Sequence, residues 1–435
     1  MIVKSCYEYF DGKIEKLSVG EFKETQQESR LLNVYSLKKA EWLGFGGAFT
    51  DSSSYCYSLL KTEDKQKVLE GLFGESGLKY NFCRLCIGSS DFALEEYCYV
   101  EDNDYDLKTF SIERDKKYII PFIKDAIKYS KREIYLFASP WAPPAFMKET
   151  NNRFFGGKLR KDCYKLFAEY IVKFLQAYRE EGILISALTL QNEPKAAQTW
   201  ESCFYTAEDE IEFAICLRQV LDKNGFEFIK LLCWDHNKER LFDRADKIFT
   251  ACPNVVDGVG FHWYSGEHFD AIGAVRAKYP DKLILETEFC KSVIEGTLYK
   301  RYCNEILGDI KQGANGICDW NMVLNEIGGP HHNRNDHGGC EAPIRIDSNT
   351  LSVQKSEIYY DTFMFANFIE RGAKILYTST YNDKVKICAV ENPNGEIVVN
   401  VFNDMEDVNA MLYINGKGLE LNLKAKALYT IVLGN

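Results

Sequence analysis

The chain has 435 residues and a net charge of −11, from 53 basic and 64 acidic side chains. That length favours one large domain together with a smaller one. There is no long basic stripe with interleaved aromatic residues, which argues against nucleic acid as a partner. There is also no run of about 18 apolar residues, which argues against a membrane span.

The cysteines and the N-terminus bear on where the protein works. The fifteen cysteines are an odd number without the spacing of a disulfide framework, which favours reduced thiols. The first ten residues lack the apolar segment of a secretory signal peptide. We therefore expect a cytoplasmic protein. A chain processed before residue 1 would have the same sequence.

The first predicted strand of the large domain is the glycine-rich segment 44–51. Its glycines permit close approach of neighbouring backbone. A phosphate-binding loop is the alternative, but the P-loop lysine and the dinucleotide fingerprint are both missing. Residues 1–35 are polar and weakly alternating, so we expect them to add one or two strands elsewhere.

A helix at 63–72 leads to a second strand at 79–88, which contains Cys83, Arg84 and Cys86. Positions three apart on a strand point to opposite faces, so the cysteines are interpreted as core thiols rather than as a redox or metal pair. A buried arginine is costly unless it is paired. We therefore expect Arg84 to lie beneath a site, where its charge orients a carboxylate.

After a helix at 118–129 and a third strand at 134–138, the prolines of segment 139–144 hold Trp141 on a rigid loop. Trp141 is then either a stacking platform or a residue packed under that loop. Residues 163–178 have apolar side chains at helical spacing and are followed by Gly182, which predicts an amphipathic helix. Strands and helices therefore alternate.

Two later strands end in carboxylates. The apolar run from Ile185 stops at Gln191-Asn192-Glu193-Pro194, and the run from Lys282 ends at Glu288. Their separation leaves room for about two β-α-β units of roughly 30 residues each. Two carboxylates across a barrel mouth can cleave a glycosidic bond. One protonates the leaving oxygen, and the other attacks the anomeric carbon when they lie about 5–5.5 Å apart.

The remaining strand ends also have polar or aromatic residues. They are Asp235 after strand 228–234, His262-Trp263-Tyr264 at the end of strand 258–262, and Trp320-Asn321 at the end of strand 315–320. His262 could be a general base, a metal ligand or an orienting group, and beside a carboxylate pair we favour orientation or sugar binding. Eight such strands predict an α/β fold, a (β/α)8 TIM barrel with its site at the carboxyl-terminal mouth.

The segment 328–337 contains three of the six histidines. No helical ligand pair is present, so we favour a sugar-binding loop over a zinc site and expect no metal and no cofactor. From about residue 373 short alternating strands follow, two of them joined by the hairpin signal Asn392–Gly395. We predict a barrel at 36–369 and a small antiparallel β-sandwich built from 1–35 plus 370–435.

Taken together, these motifs resemble glycoside hydrolase family 30, the group that includes acid β-glucosidase (glucosylceramidase). The resemblance covers essentially the whole chain. The matching motifs are 44–51 (GFGGAFTD), Tyr80-Asn81, Arg84, Asp91-Phe92, 138–141 (ASPW), 192–194 (NEP), 262–264 (HWY), Thr287-Glu288, 319–321 (DWN), 328–330 (GGP) and Arg334-Asn335.

The resemblance implies a (β/α)8 barrel with a β-sandwich, and hydrolysis with retained anomeric configuration and no cofactor. Glu193 corresponds to the acid/base and Glu288 to the nucleophile. Residues that correspond to the sugar-binding set are Asp91, Trp141, Asn192, Trp320 and Asn335. Arg84, His262 and Tyr264 correspond to supporting residues, and we count His262 and Tyr264 among those that contact substrate.

Two features depart from the glucosylceramidase pattern. His331 and His332 stand where that enzyme has Asn and Trp, which leaves the aglycone side and any role in lipid binding open. Glu286 lies two residues before Glu288, so we expect it on the same barrel face, one layer down. Its charge would raise the nucleophile's pKa there unless a hydrogen bond or the Arg84 charge offsets it.

The expected substrate is a β-glucoside, cleaved by exo action. β-Xylosides, β-fucosides and β-1,6-glucans are alternatives within the family, and a non-catalytic carbohydrate-binding barrel or a metal hydrolase are alternatives outside it. The oligomeric state does not follow from the sequence.

Overall fold

The chain begins in a sheet that its C-terminal end completes. The computed structural model describes residues 1–293, 301–332 and 339–434. The N-terminal strands are β1 (Ile2–Phe10), β2 (Lys13–Lys16), β3 (Lys23–Glu24) and β4 (Leu31–Glu41). β4 pairs with a C-terminal strand as far as Glu41, so the predicted domain boundary after residue 35 falls inside it.

Eight parallel strands then form the barrel, as predicted. In spatial order, β5 is followed by β12 and then by the others in descending order to β6, and a bridge between Ala48 and Arg84 closes the ring. The strands are β5 (Gly44–Gly47), β6 (Phe82–Ile87), β7 (Tyr135–Pro140), β8 (Ala187–Thr189), β9 (Lys230–Asn237), β10 (Gly258–His262), β11 (Leu283–Phe289) and β12 (Gly316–Asp319).

Helices surround the barrel, and the clearest sequence signals were accurate to within a few residues. A capping box precedes α5, where the side chains of Thr206 and Asp209 each accept a hydrogen bond from the other's backbone N–H. No helix in the described ranges is long and apolar enough to cross a membrane. The helices are α1 (Asp51–Ser58), α2 (Thr62–Phe73), α3 (Ile119–Tyr129), α4 (Tyr164–Glu180), α5 (Ala207–Lys223), α6 (Leu241–Ala251), α7 (Phe269–Lys278) and α8 (Arg301–Gln312).

The C-terminal part completes the sandwich. After a small sheet and α9, six strands join β1–β4 in a ten-stranded sheet, and β17 and β18 form the hairpin predicted at Asn392–Gly395. The elements are β13 (Val323–Asn325), β14 (Ile344–Ile346), β15 (Val353–Lys355), α9 (Glu357–Ala366), β16 (Lys374–Thr380), β17 (Val385–Glu391), β18 (Ile397–Asn403), β19 (Val408–Ile414), β20 (Lys417–Leu423) and β21 (Leu428–Gly434). Part of the sandwich has an apolar core separate from that of the barrel.

The inside of the barrel is layered, and this layering positions the site. A lower apolar layer contains Phe82, Phe137 and Leu285 among others. Successive inward positions on a strand are two residues apart. Two residues beyond these three lie Arg84, Ser139 and Thr287, which are all fully buried and polar.

Candidate active site

Arg84 is the central residue of the polar layer. Its guanidinium donates to Glu288 Oε2 at 2.6 Å, to Asp235 Oδ2 at 2.8 Å and to Asn192 Oδ1 at 2.9 Å. A planar guanidinium can make several such bonds at fixed angles, which a lysine cannot. Arg84 is therefore paired, as expected of a buried charge, and one of its partners is the carboxylate of Glu288.

Asp235 is a further residue of this layer that the sequence did not assign to the site. Trp234 and Asp235 both have positive φ, 69° and 53°, and the register with β10 shifts between Gly260 and Phe261. This β-bulge turns Asp235 inward. Its carboxylate accepts bonds from Thr189 at 2.6 Å and from Arg84, so although burial alone would raise its pKa, Arg84 and His262 hold the pKa below the usual range.

Glu193 lies at the mouth, four residues after the end of β8. Its backbone N–H donates to the carbonyl of Asp235 at 3.0 Å, and its φ is +47°, a strained value for a residue other than glycine. Oε1 lies 3.2 Å from His262 Nδ1 and 3.5 Å from His236 Nδ1. The backbone therefore holds this carboxylate against two imidazoles.

Glu288 reaches the same mouth because β11 is irregular. The register with both neighbouring strands shifts next to Glu288, and as a result Thr287 and Glu288 both face the site. Tyr264 donates to Glu288 Oε1 at 2.9 Å, and the same oxygen lies 4.0 Å from His262 Nδ1. One histidine nitrogen therefore stands between the two glutamates.

His262 is the link between the layer and the mouth. It is fully buried, and its Nε2 lies 3.1 Å from Asp235 Oδ1 while Nδ1 approaches Glu193. Burial opposes the charged imidazole, but the negative charge of Glu288 and the bonds to Asp235 and Glu193 outweigh it and raise the pKa of His262 to about 9. Burial alone would raise the pKa of Glu193, but the imidazoles of His236 and His262 outweigh it and hold that pKa below the usual range. Both shifts favour a proton on His262 over a proton on Glu193.

Two tryptophans form one wall of the pocket above the glutamates. The rings of Trp141 and Trp320 are stacked with centroids 5.0 Å apart, and the Arg84 guanidinium lies 4.7 Å from the Trp141 ring centre. The cavity is about 240 Å³. Its lining residues are Asp91, Trp141, Asn192, Glu193, Gln198, Trp200, His236, Asn237, Tyr264, Glu288, Cys290 and Trp320.

Most predicted site residues therefore meet around this cavity or directly beneath it. Gln198, Trp200, His236, Asn237 and Cys290 line it without having been predicted. Gln198, Trp200 and Cys290 lie on loops or just beyond a strand end, where no periodicity indicates direction. His236 and Asn237 are the last two residues of β9, beyond its bulge. Asn335 lies outside the described residues.

Comparison with protein families decides what kind of chain this is. Residues 43–369 match the model of the glycosyl hydrolase family 30 TIM-barrel domain, and residues 372–431 match the model of that family's beta sandwich domain. The chain belongs to glycoside hydrolase family 30. It is a glycoside hydrolase, and its substrate is a carbohydrate.

The family 30 relatives of this chain have names that state different activities. The chain is 30% identical over 427 residues to the lysosomal acid glucosylceramidase of Mus musculus, an alignment that covers 91% of this chain and 82% of that protein. It is 25% identical over 388 residues to the endo-1,6-beta-D-glucanase BGN16.3 of Trichoderma harzianum, with 84% and 78% covered. The crystal structure of SrfJ from Salmonella typhimurium has a TM-score of 0.93 and 32% identity, and the match covers 99% of each chain.

The histidine-bearing loop lies beside the family 30 pocket. His331 packs edge-on against the ring of Phe92, and His332 lies 3.1 Å from the carbonyl of Ala93 and 3.2 Å from the buried Glu201. The backbone N–H of His332 donates to the carbonyl of Asp91. These described histidines thus support the segment that contains Asp91. His337 lies outside the described residues.

Two groups of side chains in the described ranges have the donor set for a cation. One is Glu193, His236 and His262, with ligand atoms within 4.8 Å of one another. A cation there would have to replace the contact between His262 and Glu193. The other, with the same spacing, is Glu286, Glu305 and Asp309, and the ammonium of Lys238 already lies among these carboxylates.

Glu286 does not share the face of Glu288, so that prediction was wrong. The bulge in β11 breaks the alternation between the two residues. Glu286 instead points outward to α8, where burial and the charges of Asp309 and Glu305 raise its pKa well above the usual range. It is part of an outer cluster, defined as Glu286, Glu305, Asp309 and Lys238. The Glu286 carboxyl therefore faces α8 and does not act on Glu288 across a shared face.

Proposed function

We propose that the protein is a retaining, exo-acting β-glycosidase that hydrolyses β-glucosides by double displacement. The observation that carries this proposal is the asymmetry of the two glutamates. Glu288 is bonded to the permanently charged Arg84 and to the Tyr264 hydroxyl, an environment suited to a carboxylate. Glu193 instead lies 3.2 Å from His262 Nδ1, within hydrogen-bond reach of a group that can carry a proton. One group is prepared to attack and the other to exchange a proton.

In the first step a carboxylate oxygen of Glu288 bonds to the anomeric carbon while the bond from that carbon to the leaving oxygen breaks. The proton from the pair of Glu193 and His262 passes through Glu193 to the leaving oxygen. In the second step Glu193 takes a proton from water, the water oxygen attacks the anomeric carbon, and Glu288 is released. Two displacements at the same carbon retain the configuration.

His262 serves as the proton store for this cycle. Its Nδ1 is 3.2 Å from Glu193, and its other nitrogen is fixed by Asp235, itself bonded to Arg84. Asp235 therefore holds the imidazole ring in the orientation that the transfer needs. When substrate replaces water above Glu193, the loss of hydration favours the neutral carboxylic acid and moves the proton toward Glu193.

The pocket supports a substrate with a single sugar at its end. A cavity of about 240 Å³ is smaller than the 300–1,000 Å³ typical of ligand pockets. Aromatic side chains offer apolar faces for stacking, and Trp141 and Trp320 supply them next to Asp91 and Asn192. The glucosylceramidase relative favours glucose as that sugar. We further propose a cytoplasmic location, supported by the scattered cysteines, and therefore soluble glycosides as substrates.

The test is kcat/KM on matched aryl β-glucoside, β-xyloside, β-fucoside and β-galactoside. We expect the glucoside to lead by at least about ten-fold, equivalent to about 1.4 kcal/mol of transition-state binding. A higher kcat/KM on the xyloside or the fucoside would overturn the proposed substrate but not the proposed mechanism. Activity on a β-1,6-glucan alone would favour the function named for the Trichoderma relative.

A second measurement tests the mechanism apart from the substrate. A 2-deoxy-2-fluoro glycoside should add one sugar mass to the intact protein, and the modified peptide should contain Glu288. The Glu288→Gln variant is the control and should gain no mass. A non-catalytic carbohydrate-binding barrel would gain none in either form. Undiminished activity after chelation would exclude a metal hydrolase.

A further inference from the structure

Two cysteines meet beside the pocket. Cys290 lies two residues after Glu288 and lines the cavity, whereas Cys340 is buried at 2% exposure. Their sulfur atoms are 2.7 Å apart. A disulfide bond has a length of about 2.0 Å, so the two sulfurs need to move together by less than 1 Å.

The backbone around the two cysteines is already paired. Ser292 and Cys340 form an antiparallel bridge, and the N–H of Glu341 donates to the carbonyl of Lys291 at 2.7 Å. The carbonyl of Cys290 also accepts a bond from the indole of Trp263 at 3.1 Å. Because these contacts fix both segments, the approach of the two sulfur atoms follows from the fold.

We propose that Cys290 and Cys340 form a thiol pair that a disulfide or peroxide oxidant converts reversibly into a disulfide next to the nucleophile. With glutathione disulfide, one thiolate attacks the oxidant and releases one glutathione. The second thiolate then attacks the mixed disulfide and releases the other. Two protons and two electrons leave the pair, the S–S bond forms, and two glutathione thiols are produced. A reducing cytoplasm keeps the pair as thiols until oxidant rises.

The bond has a local consequence at the pocket. It ties the end of β11 to the segment that starts at Gly339, on the side where the Tyr264 hydroxyl lies 2.9 Å from Glu288 and 3.5 Å from Cys290 Sγ. It also removes the cavity-lining thiol from reaction with electrophiles. The oxidised form is therefore protected against irreversible alkylation at this position.

The first experiment is peptide mapping of the full chain after incubation in glutathione buffers of increasing oxidised fraction. We expect a loss of about 2 Da and a linked peptide that joins Cys290 to Cys340, both reversed by dithiothreitol. Cys340→Ser should abolish the link and leave Cys290 as a glutathione adduct. Cys83→Ser, at a core cysteine on the outer side of β6, should leave the link unchanged.

Two outcomes would overturn the proposal. One is that Cys290 and Cys340 both remain thiols in buffers that oxidise exposed thiols. The other is that their link forms only in urea. Thermal unfolding gives a further check that does not depend on activity. Closing a loop of this size should raise Tm by at least about 2 °C in the wild type and not in Cys340→Ser.

The activity measurement rests on the proposed function, whereas the mapping does not. Iodoacetamide should alkylate Cys290 in the reduced protein and lower hydrolysis of the aryl glucoside by at least about ten-fold, because the adduct fills the pocket wall. The oxidised protein should keep its activity when it is treated with iodoacetamide. After reduction with dithiothreitol it should again lose activity on that treatment. Loss of activity in both redox forms would overturn the protective role. A linked peptide in a protein with no glycosidase activity would overturn only the proposed function.

Discussion

Two carboxylate clusters lie on opposite sides of strand β11, which contributes Glu288 to one and Glu286 to the other. The mouth cluster is Arg84, Glu193, Asp235, His262 and Glu288, and the outer cluster was defined above around Glu286. Each contains three carboxylates, all buried except Glu193, whose side chain is 15% exposed at the cavity. The mouth cluster offsets its charge with an arginine and an imidazolium, whereas the outer cluster has the single ammonium of Lys238.

The difference appears in how each cluster handles protons. In the mouth cluster Arg84 and the hydroxyls of Thr189 and Thr287 satisfy Asp235, which stays charged. In the outer cluster neither oxygen of Glu286 has a hydrogen-bond donor among the described residues. A carboxyl proton shared with Asp309 or Glu305 supplies the missing bond. Three close carboxylates therefore indicate a reactive site only where cations and a cavity accompany them.

The largest expected effect comes from Glu288→Gln. It removes the attacking oxygen but keeps the shape of the side chain, so kcat on the aryl glucoside should fall by roughly 10⁴-fold or more. Binding of a competitive sugar, measured by calorimetry, should change little. Retained turnover would mean that the nucleophile is a residue outside the mouth cluster.

Arg84→Lys should lower kcat/KM by about 10²–10³-fold. Lysine keeps the charge but cannot bond to Glu288, Asp235 and Asn192 together, so the geometry of the mouth cluster loosens. Arg276→Lys is the matched control. That buried arginine bonds to the carbonyls of Gly313 and Lys282, away from the pocket. It should lower Tm and leave kcat/KM within about two-fold. Equal losses of activity in both variants would contradict a specific role for Arg84.

His262→Asn tests the proton store. The pKa of His262 is raised from 6.5 to about 9, so the pair with Glu193 holds its proton below that pH and loses it as pH rises through about 9. The wild-type profile of kcat/KM should therefore fall on the alkaline side near pH 9.

In His262→Asn that alkaline limb should move to lower pH, and kcat/KM at pH 7 should fall by about 10–100-fold. An unchanged limb would show that another group titrates there. The same raised pKa stabilises the fold fully below pH 6.5 and loses that contribution through about pH 9.

The smallest effect on catalysis is expected from Glu286→Gln. The amide mimics the protonated carboxyl, so kcat/KM should stay within about two-fold, and a 100-fold loss would mean that Glu286 acts on Glu288 after all. The stability effect depends on pH. A carboxyl with a raised pKa in the fold stabilises it at pH below the ordinary value of 4.5 and loses that contribution as pH rises. Urea unfolding at pH 5 and pH 8.5 should show the variant gaining on the wild type as pH increases.

The fold and the arrival of Glu193 and Glu288 at one mouth were accessible from the sequence because they depend on local patterns. Apolar runs that stop at Glu193 and Glu288 mark strand ends, and a parallel barrel brings all such ends to one mouth. The arginine in β6 required a buried partner, and the structure supplies Glu288 and Asp235. The sandwich was recognisable from its hairpin.

The errors at Glu286 and Asp235 share one physical cause, which is local departure from strand periodicity. Alternation placed Glu286 beside Glu288, but a bulge in β11 separates their faces. A second bulge in β9 turns Asp235 into the layer beneath the site. A bulge adds one residue to a strand without a consistent sequence signature, so its position is decided by the neighbouring strands.

The sequence alone thus determined which residue types arrive at the barrel mouth, because strand ends and turn residues are written locally. Only the tertiary structure decided which of them face one another and with what charge. His262 between two glutamates, Asp235 beneath them and Cys290 against Cys340 are all contacts between distant segments. Such contacts depend on register, bulges and loop paths, which are fixed when the whole barrel packs.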